Sequence, residues 1–245
     1  MIASLFYGFS LPLRAASLVL TRPRLILWSA FPVAITIALY VYALAGIRAW
    51  MQAHVLAWLT GVGLDPNGWA ALGVLALTHV VLFVIGGATF SSVAVLLSSP
   101  FNDFLAESAE PYAVPPLPPA APATWRSRAR LIAIDMAKTA AALTMAILTL
   151  LVSWVPFLDV VALTMTFLLL TFQFISYPQT RRGVRLGAGL KFLFRHFFAC
   201  AGFGATLAIL FAIPFISCFF LPLAVVGGTL LVARAPGSAA LTPLR

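Results

Sequence analysis

The chain has 245 residues, 62% of them hydrophobic and 9% charged, with a mean hydropathy of +1.06. Soluble domains carry about 25% charged residues, so this composition excludes a soluble globular fold and fits an integral membrane protein. The net charge of +9 does not indicate nucleic acid, because the basic residues flank apolar segments, as membrane topology signals do.

The N-terminal stretch lacks the basic region and long apolar core of a cleaved signal peptide, so insertion is expected to rely on the first internal span. Residues 1–20 read as an amphipathic interfacial helix. Phe6, Phe9, Leu13 and Ala16 form one side, and Ser10, Arg14 and Ser17 another. "TRPRL" then opens the first span, with Thr21 as the expected N-cap and Pro23 in the first turn. Residues 25–47 are long enough to cross about 30 Å of hydrocarbon. A loop is expected from Arg48 to Gly68, then a second span over 69–97. Residues 111–125 form a Pro/Ala-rich linker that will not be helical.

The second half repeats a pattern. Thr139–Val155 is apolar, Pro156 interrupts, and Val160–Tyr177 is apolar again. Phe197–Ile213, Pro214 and Phe215–Val232 do the same. The joining segments are short and apolar, and each arm, read as a helix, is roughly 25 Å long. Two readings fit. Residues 139–177 and 197–232 are either two Pro-broken re-entrant hairpins or four short spanning helices. We adopt the hairpins, giving an all-α membrane domain over 1–233 with a tail at 234–245. Both readings place every basic cluster on one side: Arg14/Arg22/Arg24, Arg126/Arg128/Arg130/Lys138, Arg181–Arg195 and Arg234/Arg245. Only Arg48 falls opposite, so both termini are expected in the cytoplasm.

"SSPFNDFLAESAE" (98–110) holds three of the six acidic residues, at the inner end of the second span. Asp103, Glu107 and Glu110 share one face if the helix continues, and carboxylates at that depth need partners. The arginines opening the first span and those of Arg181–Arg195 are the nearest by topology. We therefore expect an inner-rim charge network of Asn102, Asp103, Glu107, Arg181, Arg182 and Arg185.

Enzymatic motifs and a phosphate loop are missing from the sequence, no nucleophile lies at a recognisable distance from a base, and no cofactor is implied. His54, His79 and His196 lie in separate segments and give no metal spacing. Cys200 and Cys218 read as small buried side chains. A basic inner surface around broken helices suits an anion, because Arg offers a forked donor and helix starts offer free N–H groups.

Several short motifs occur in an order that resembles the CysZ family. They are "PFNDFLAE" (100–107), "RPRL" with "FPV" (22–25 and 31–33), "YP" (177–178), "GFG" (202–204) and "IPFISCFFLPLAVVGGT" (213–229). The resemblance covers roughly residues 5–233. It implies two long transmembrane helices, hemi-penetrating hairpins, a homo-oligomer in the bacterial inner membrane, and passage of sulfate for cysteine synthesis. Arg24-Leu25-Ile26 stands where the family has Gly-Leu-Arg, and Ser176 where it has Asp. The expected contacts for sulfate or a similar oxyanion are Arg22, Arg24 and the backbone N–H groups of Leu25 and Ile26, at the positive end of the first span. The alternative function is a non-transporting membrane scaffold of the same fold.

Overall fold

A computed structural model describes residues 2–63, 65, 68–118, 120, 125–213 and 217–234, with side chains for all but 87–88, 90–97, 99–100 and 127–128. The described residues form helices α1 (Ile2–Thr21), α2 (Pro23–Gly61), α3 (Trp69–Ala109), α4 (Trp125–Val152), α5 (Asp159–Thr180), α6 (Leu186–Arg195), α7 (Phe197–Phe211) and α8 (Ser217–Arg234). A 3₁₀ turn, Glu110–Tyr112, follows α3. The all-α class expected from the sequence holds, and among the described residues six helices are long and apolar enough to cross a membrane.

Proline sets the first joint. Arg22 alone separates α1 from α2, in extended backbone (φ −124°, ψ 108°), and Pro23 takes the first helical position, where its missing N–H costs nothing. The N-cap is therefore Arg22. Thr21, expected in that role, instead donates its hydroxyl back to Ser17 O and Leu18 O, at 2.9 and 3.1 Å.

α2 does not stop at Ile47. It runs 39 residues to Gly61, so most of the expected 48–68 loop is helix. Nothing in Arg48–Thr60 breaks a helix: no proline or glycine occurs there, and Ala, Leu, Met and Gln favour one. Leu64, Pro66 and Asn67 of that loop lie outside the described residues.

α2 and α3 run antiparallel. Trp28 stacks on Phe104 (5.1 Å between centroids), Phe31 meets Phe101 edge-on (5.2 Å), and the Tyr40 hydroxyl donates to Thr89 Oγ1 at 2.9 Å. This register sets the start of α2 beside the end of α3, so Arg22 and Arg24 share one end of the molecule with the acidic motif.

The core gathers where α8 packs on α1, α3 and α5, and where α7 packs on α1 and α5. Glycines permit the close approach. A Cβ on Gly8 would strike Ala199 O of α7, one on Gly202 would strike Leu5 O of α1, and one on Gly204 would strike Phe167 O of α5. This is the small-residue contact that lets membrane helices meet backbone to backbone.

α1 consequently turns Gly8, Leu11, Pro12, Ala15 and Val19 inward. Phe6 and Leu13, on the side expected to be its apolar face, are 66% and 75% exposed, a surface suited to lipid. Arg14 donates to Ser10 Oγ at 3.1 Å on the remaining face. Cys200 and Cys218 are buried and are not joined in a disulfide.

The expected hairpin arms differ from those observed. α4 starts at Trp125, well before residue 139, and has 28 residues, about 42 Å, ample for a full crossing. α5 has 22 residues, and the turn between them carries Phe157 at φ 73°, 96% exposed. The short-arm argument therefore fails for this pair. In the second pair α7 has only 15 residues, about 22 Å, and it follows α6 through a bend of 93° at His196. The Pro214 break lies in 214–216, outside the described residues, as does the tail from 235 onward.

Candidate functional site: an arginine-rich rim at the end of the α2–α3 pair

The acidic motif keeps helical conformation to Ala109, and the 3₁₀ turn carries the chain on through Glu110. The carboxylates of Glu107 and Glu110 thus present themselves to the end of α5, where Pro178 and then Gly183 (φ 70°) finish the helix at the Arg181-Arg182 pair. Arg181 Nη1 donates to Glu107 Oε2 at 2.9 Å and lies 3.4 Å from the carbonyl of Asp103. Its Nε lies 3.3 Å from Glu110 Oε1, close enough to pair as charges but not aligned as a hydrogen bond.

Arg182 is the buried member, 2% exposed. Its Nη1 donates to Glu110 Oε1 at 2.9 Å and to Pro178 O at 2.7 Å, and its Nε donates to Pro118 O at 2.8 Å. One guanidinium therefore ties α5 to the residue following α3 and to the Pro-rich linker. A buried cation is tolerated only with this degree of satisfaction. Glu110 is the hub, pairing with both arginines.

Of the expected network, Glu107, Arg181 and Arg182 are brought together, while Asn102 bonds to a neighbour of the ion pairs and not to them. Asn102 Nδ2 donates to the hydroxyl of Tyr177 at 3.1 Å. Asp103 enters only through its backbone carbonyl. Loss of water around its carboxyl, with Asp135 and Glu107 nearby, holds its pKa above the ordinary value against the pull of Arg181. Glu107 is shifted the opposite way, downward, chiefly by its hydrogen bond from Arg181. Arg185 stays out: it is the exposed N-cap of α6 and joins none of the described ion pairs.

The four residues expected to contact an anion sit at the start of α2. Arg22 lays its guanidinium over the ring of Tyr112, 4.7 Å from the centroid, and Arg24 is exposed. Arg24 is near enough to Glu107 to favour its ionised form. The amides of Leu25 and Ile26 are occupied, both donating to Arg22 O, at 3.0 and 3.1 Å. The Leu25 side chain is buried and that of Ile26 is 42% exposed. Any anion here must be held by the two guanidiniums and by the amide of Arg24, one of the donors a helix start leaves over.

Sequence reasoning missed three contributors to this end of the protein. Tyr112 stacks under Arg22 although it lies in the linker. Pro118 supplies only a carbonyl, which no residue type announces. Lys138 is 2% exposed on α4 and donates to Thr180 Oγ1 at 3.1 Å, beside Gln179, whose amide has no hydrogen-bond partner among the described residues. A buried lysine in a basic cluster could have been noticed from its place three residues after Asp135, one helical turn along α4.

Comparison with known proteins places the chain in a family. The family described as "Sulfate transporter CysZ/Etoposide-induced protein 2.4" matches residues 11–222. A protein of Pseudomonas paraeruginosa named "Sulfate transporter CysZ" is 30% identical over 231 residues, covering 90% of this chain and 92% of the relative. One of the same name from Pseudomonas aeruginosa is 30% identical over 232 residues, with the same coverage. Another from Pectobacterium atrosepticum is 26% identical over 186 residues, 73% of this chain and 65% of the relative. The matched span runs from α1 into α8 and takes in the acidic motif, Arg181, Arg182 and the α2 start, and by it this chain belongs to the sulfate transporter CysZ/etoposide-induced protein 2.4 family.

Proposed function

We propose that this multi-pass membrane protein passes sulfate, or a closely related small oxyanion, across the bacterial inner membrane to supply sulfur assimilation. The observation that carries this reading is the match to proteins named sulfate transporter over 90% of the chain. The distribution of charge supports it. Arg181 and Arg182 are consumed by Glu107 and Glu110, whereas Arg22 and Arg24 belong to none of the described ion pairs. They flank the start of a helix, where the backbone dipole adds partial positive charge.

In the mechanism we infer, Arg22 and Arg24 form the first contact for the anion. Tyr112 holds the Arg22 guanidinium in a fixed plane, so that its fork meets a tetrahedral oxyanion already oriented. The carboxylate–arginine rim keeps α3, α5 and the linker together and withholds its own arginines from the anion. The protein acts as a transporter and not as an enzyme, is a homo-oligomer, and carries both termini on the cytoplasmic side. The one-sided basic residues support that orientation, and the 15-residue α7, bent by 93° from α6, supports an assembly, because broken short helices need protein around them.

Uptake of radiolabelled sulfate into proteoliposomes tests the reading. Flux should exceed that of empty vesicles and fall about tenfold or more in Arg22→Ala/Arg24→Ala, the loss of one charge-assisted contact or more. No flux from a folded protein would favour the scaffold role. Flux indifferent to both arginines would move the anion contact elsewhere.

A further inference from the structure

Tyr7 of α1 stands between two cavities of about 430 and 360 Å³, and both are lined by its ring and by Arg234 at the end of α8. The larger adds Arg195 and His196 on its polar side and Phe194, Phe197 and Phe198 on its apolar side. The smaller adds Arg14, Leu18, Tyr112 and Leu230. The guanidinium carbons of Arg14 and Arg234 lie 5.4 and 5.1 Å from the Tyr7 ring centroid. Three arginines and a histidine are thus gathered along one side of α1.

No carboxylate stands among the described residues lining either cavity, and the described ion pairs use only Arg181 and Arg182. A tyrosine ring attracts each cation weakly but does not cancel the repulsion between them. An anion would. The apolar half of the larger cavity narrows its nature. Sulfate would use the guanidiniums and gain nothing from three phenylalanines, whereas an amphiphile would use both. Phe194 is 58% exposed and Phe198 36% exposed, so the apolar lining continues to the outer surface. Phe6 and Leu13 of α1 are exposed as well.

We propose that the larger cavity binds an acidic phospholipid, its phosphate held by Arg195 and Arg234 and its acyl chain laid across Phe194 and Phe198. Basic pockets between helices at the cytoplasmic face hold anionic headgroups by this combination of charge and apolar contact. The site is separate from the Arg22–Arg24 pair and does not depend on what the protein transports. Its ligand would join α1, α6 and α8.

The test uses the full chain purified in neutral detergent. Dioleoylphosphatidylglycerol or dioleoylphosphatidylcholine is titrated in, with thermal melting and native mass spectrometry as readouts. Phosphatidylglycerol should raise the melting temperature and remain bound in the gas phase, and phosphatidylcholine should do neither. Arg195→Gln/Arg234→Gln should weaken phosphatidylglycerol binding about tenfold or more, as expected when charge-assisted contacts are lost. Equal retention of the two lipids, or undiminished phosphatidylglycerol binding in the variant, would overturn the proposal. Sodium sulfate protecting as strongly as the acidic lipid would also overturn it and make this a free-oxyanion site. If the double variant fails to fold, Arg195→Gln alone, at an exposed position, decides the matter by lipid retention: wild-type retention overturns the proposal, and reduced retention supports it.

Discussion

Arg182 and Asp103 illustrate opposite fates of a charge at the same rim. Arg182 is buried with three acceptors, so replacing it by Met leaves Glu110 and two carbonyls short of donors. Breaking a buried pair from one side costs about 3–5 kcal/mol. We expect Arg182→Met to lose most folded protein, read as the monodisperse fraction in detergent chromatography. Arg185→Met, at an exposed N-cap, should behave as wild type in the same assay. Asp103 has a raised pKa, so its ionised form is disfavoured in the folded state. Folding therefore becomes more favourable as pH falls through its folded pKa towards its unfolded one, and the ionised group is a burden above that window. Asp103→Asn should melt higher than wild type at pH 7.5, and the gap should close near pH 4, about the ordinary carboxylate value. A variant less stable at both pH values would contradict this sign. The sequence located these residues through their density of charge in an apolar chain, but could not rank them. Asp103 and Glu110 look alike in a string of letters. What separates them is that Glu110 lies beyond the α-helix, in a turn that swings its carboxylate between two arginines.

At the scale of elements, α7 depends on glycine on two sides. Gly202 admits the backbone of α1 and Gly204 that of α5, both facing carbonyl oxygens that cannot move aside as a side chain would. Gly204→Val should cost about 1–3 kcal/mol or more through overpacking. Gly187→Val, where no atom lies near the added Cβ, should cost much less. Melting of both variants in detergent checks the contrast. "GFG" was visible in the sequence as a motif, but its partners were not, because they are backbone atoms from distant segments. Helix identity was legible wherever composition was apolar, and helix ends were legible where Pro and Gly cluster. The extension of α2 to Gly61 was missed because Arg48 was taken as a boundary, although one arginine does not end a helix. α6 was missed because Leu186–Arg195 fell between the two expected hairpins and was read only for its charges. For α1 the apolar side was legible, but not which residues meet the protein: Gly8, Leu11, Pro12, Ala15 and Val19 face inward while large apolar residues such as Phe6 and Leu13 face out.

At the scale of the whole molecule, topology rests on the hairpin tips. The hairpin reading requires both tips to stay inside the membrane: under it Phe157→Cys should resist a membrane-impermeant thiol reagent applied from outside, and Phe215→Cys should resist it too. Background should be low, because Cys200 and Cys218 are buried. Strong external labelling at both positions would establish four crossings instead. The length of α4 makes position 157 the sharper test. Assembly is tested by mass measurement in mild detergent: we expect more than one copy, and monomer across a wide concentration range would count against it. The family was legible in the order of five motifs. The anion contact was legible only as far as the side chains of Arg22 and Arg24, because the turn of the Arg22 carbonyl onto Leu25 and Ile26 is a backbone event that residue identity does not encode.

The single-residue joint at Arg22 makes α1 a lever. Its 20 residues reach about 30 Å from the pivot, with Gly8 and Tyr7 far along the arm and the guanidinium of Arg22 at the fulcrum. A tilt of α1 against α7 therefore displaces Tyr7 by several times the shift felt at Arg22. Pulling on the N-terminus, by a bulky fusion for example, should disturb the Tyr7–Arg234 contact long before it disturbs the start of α2.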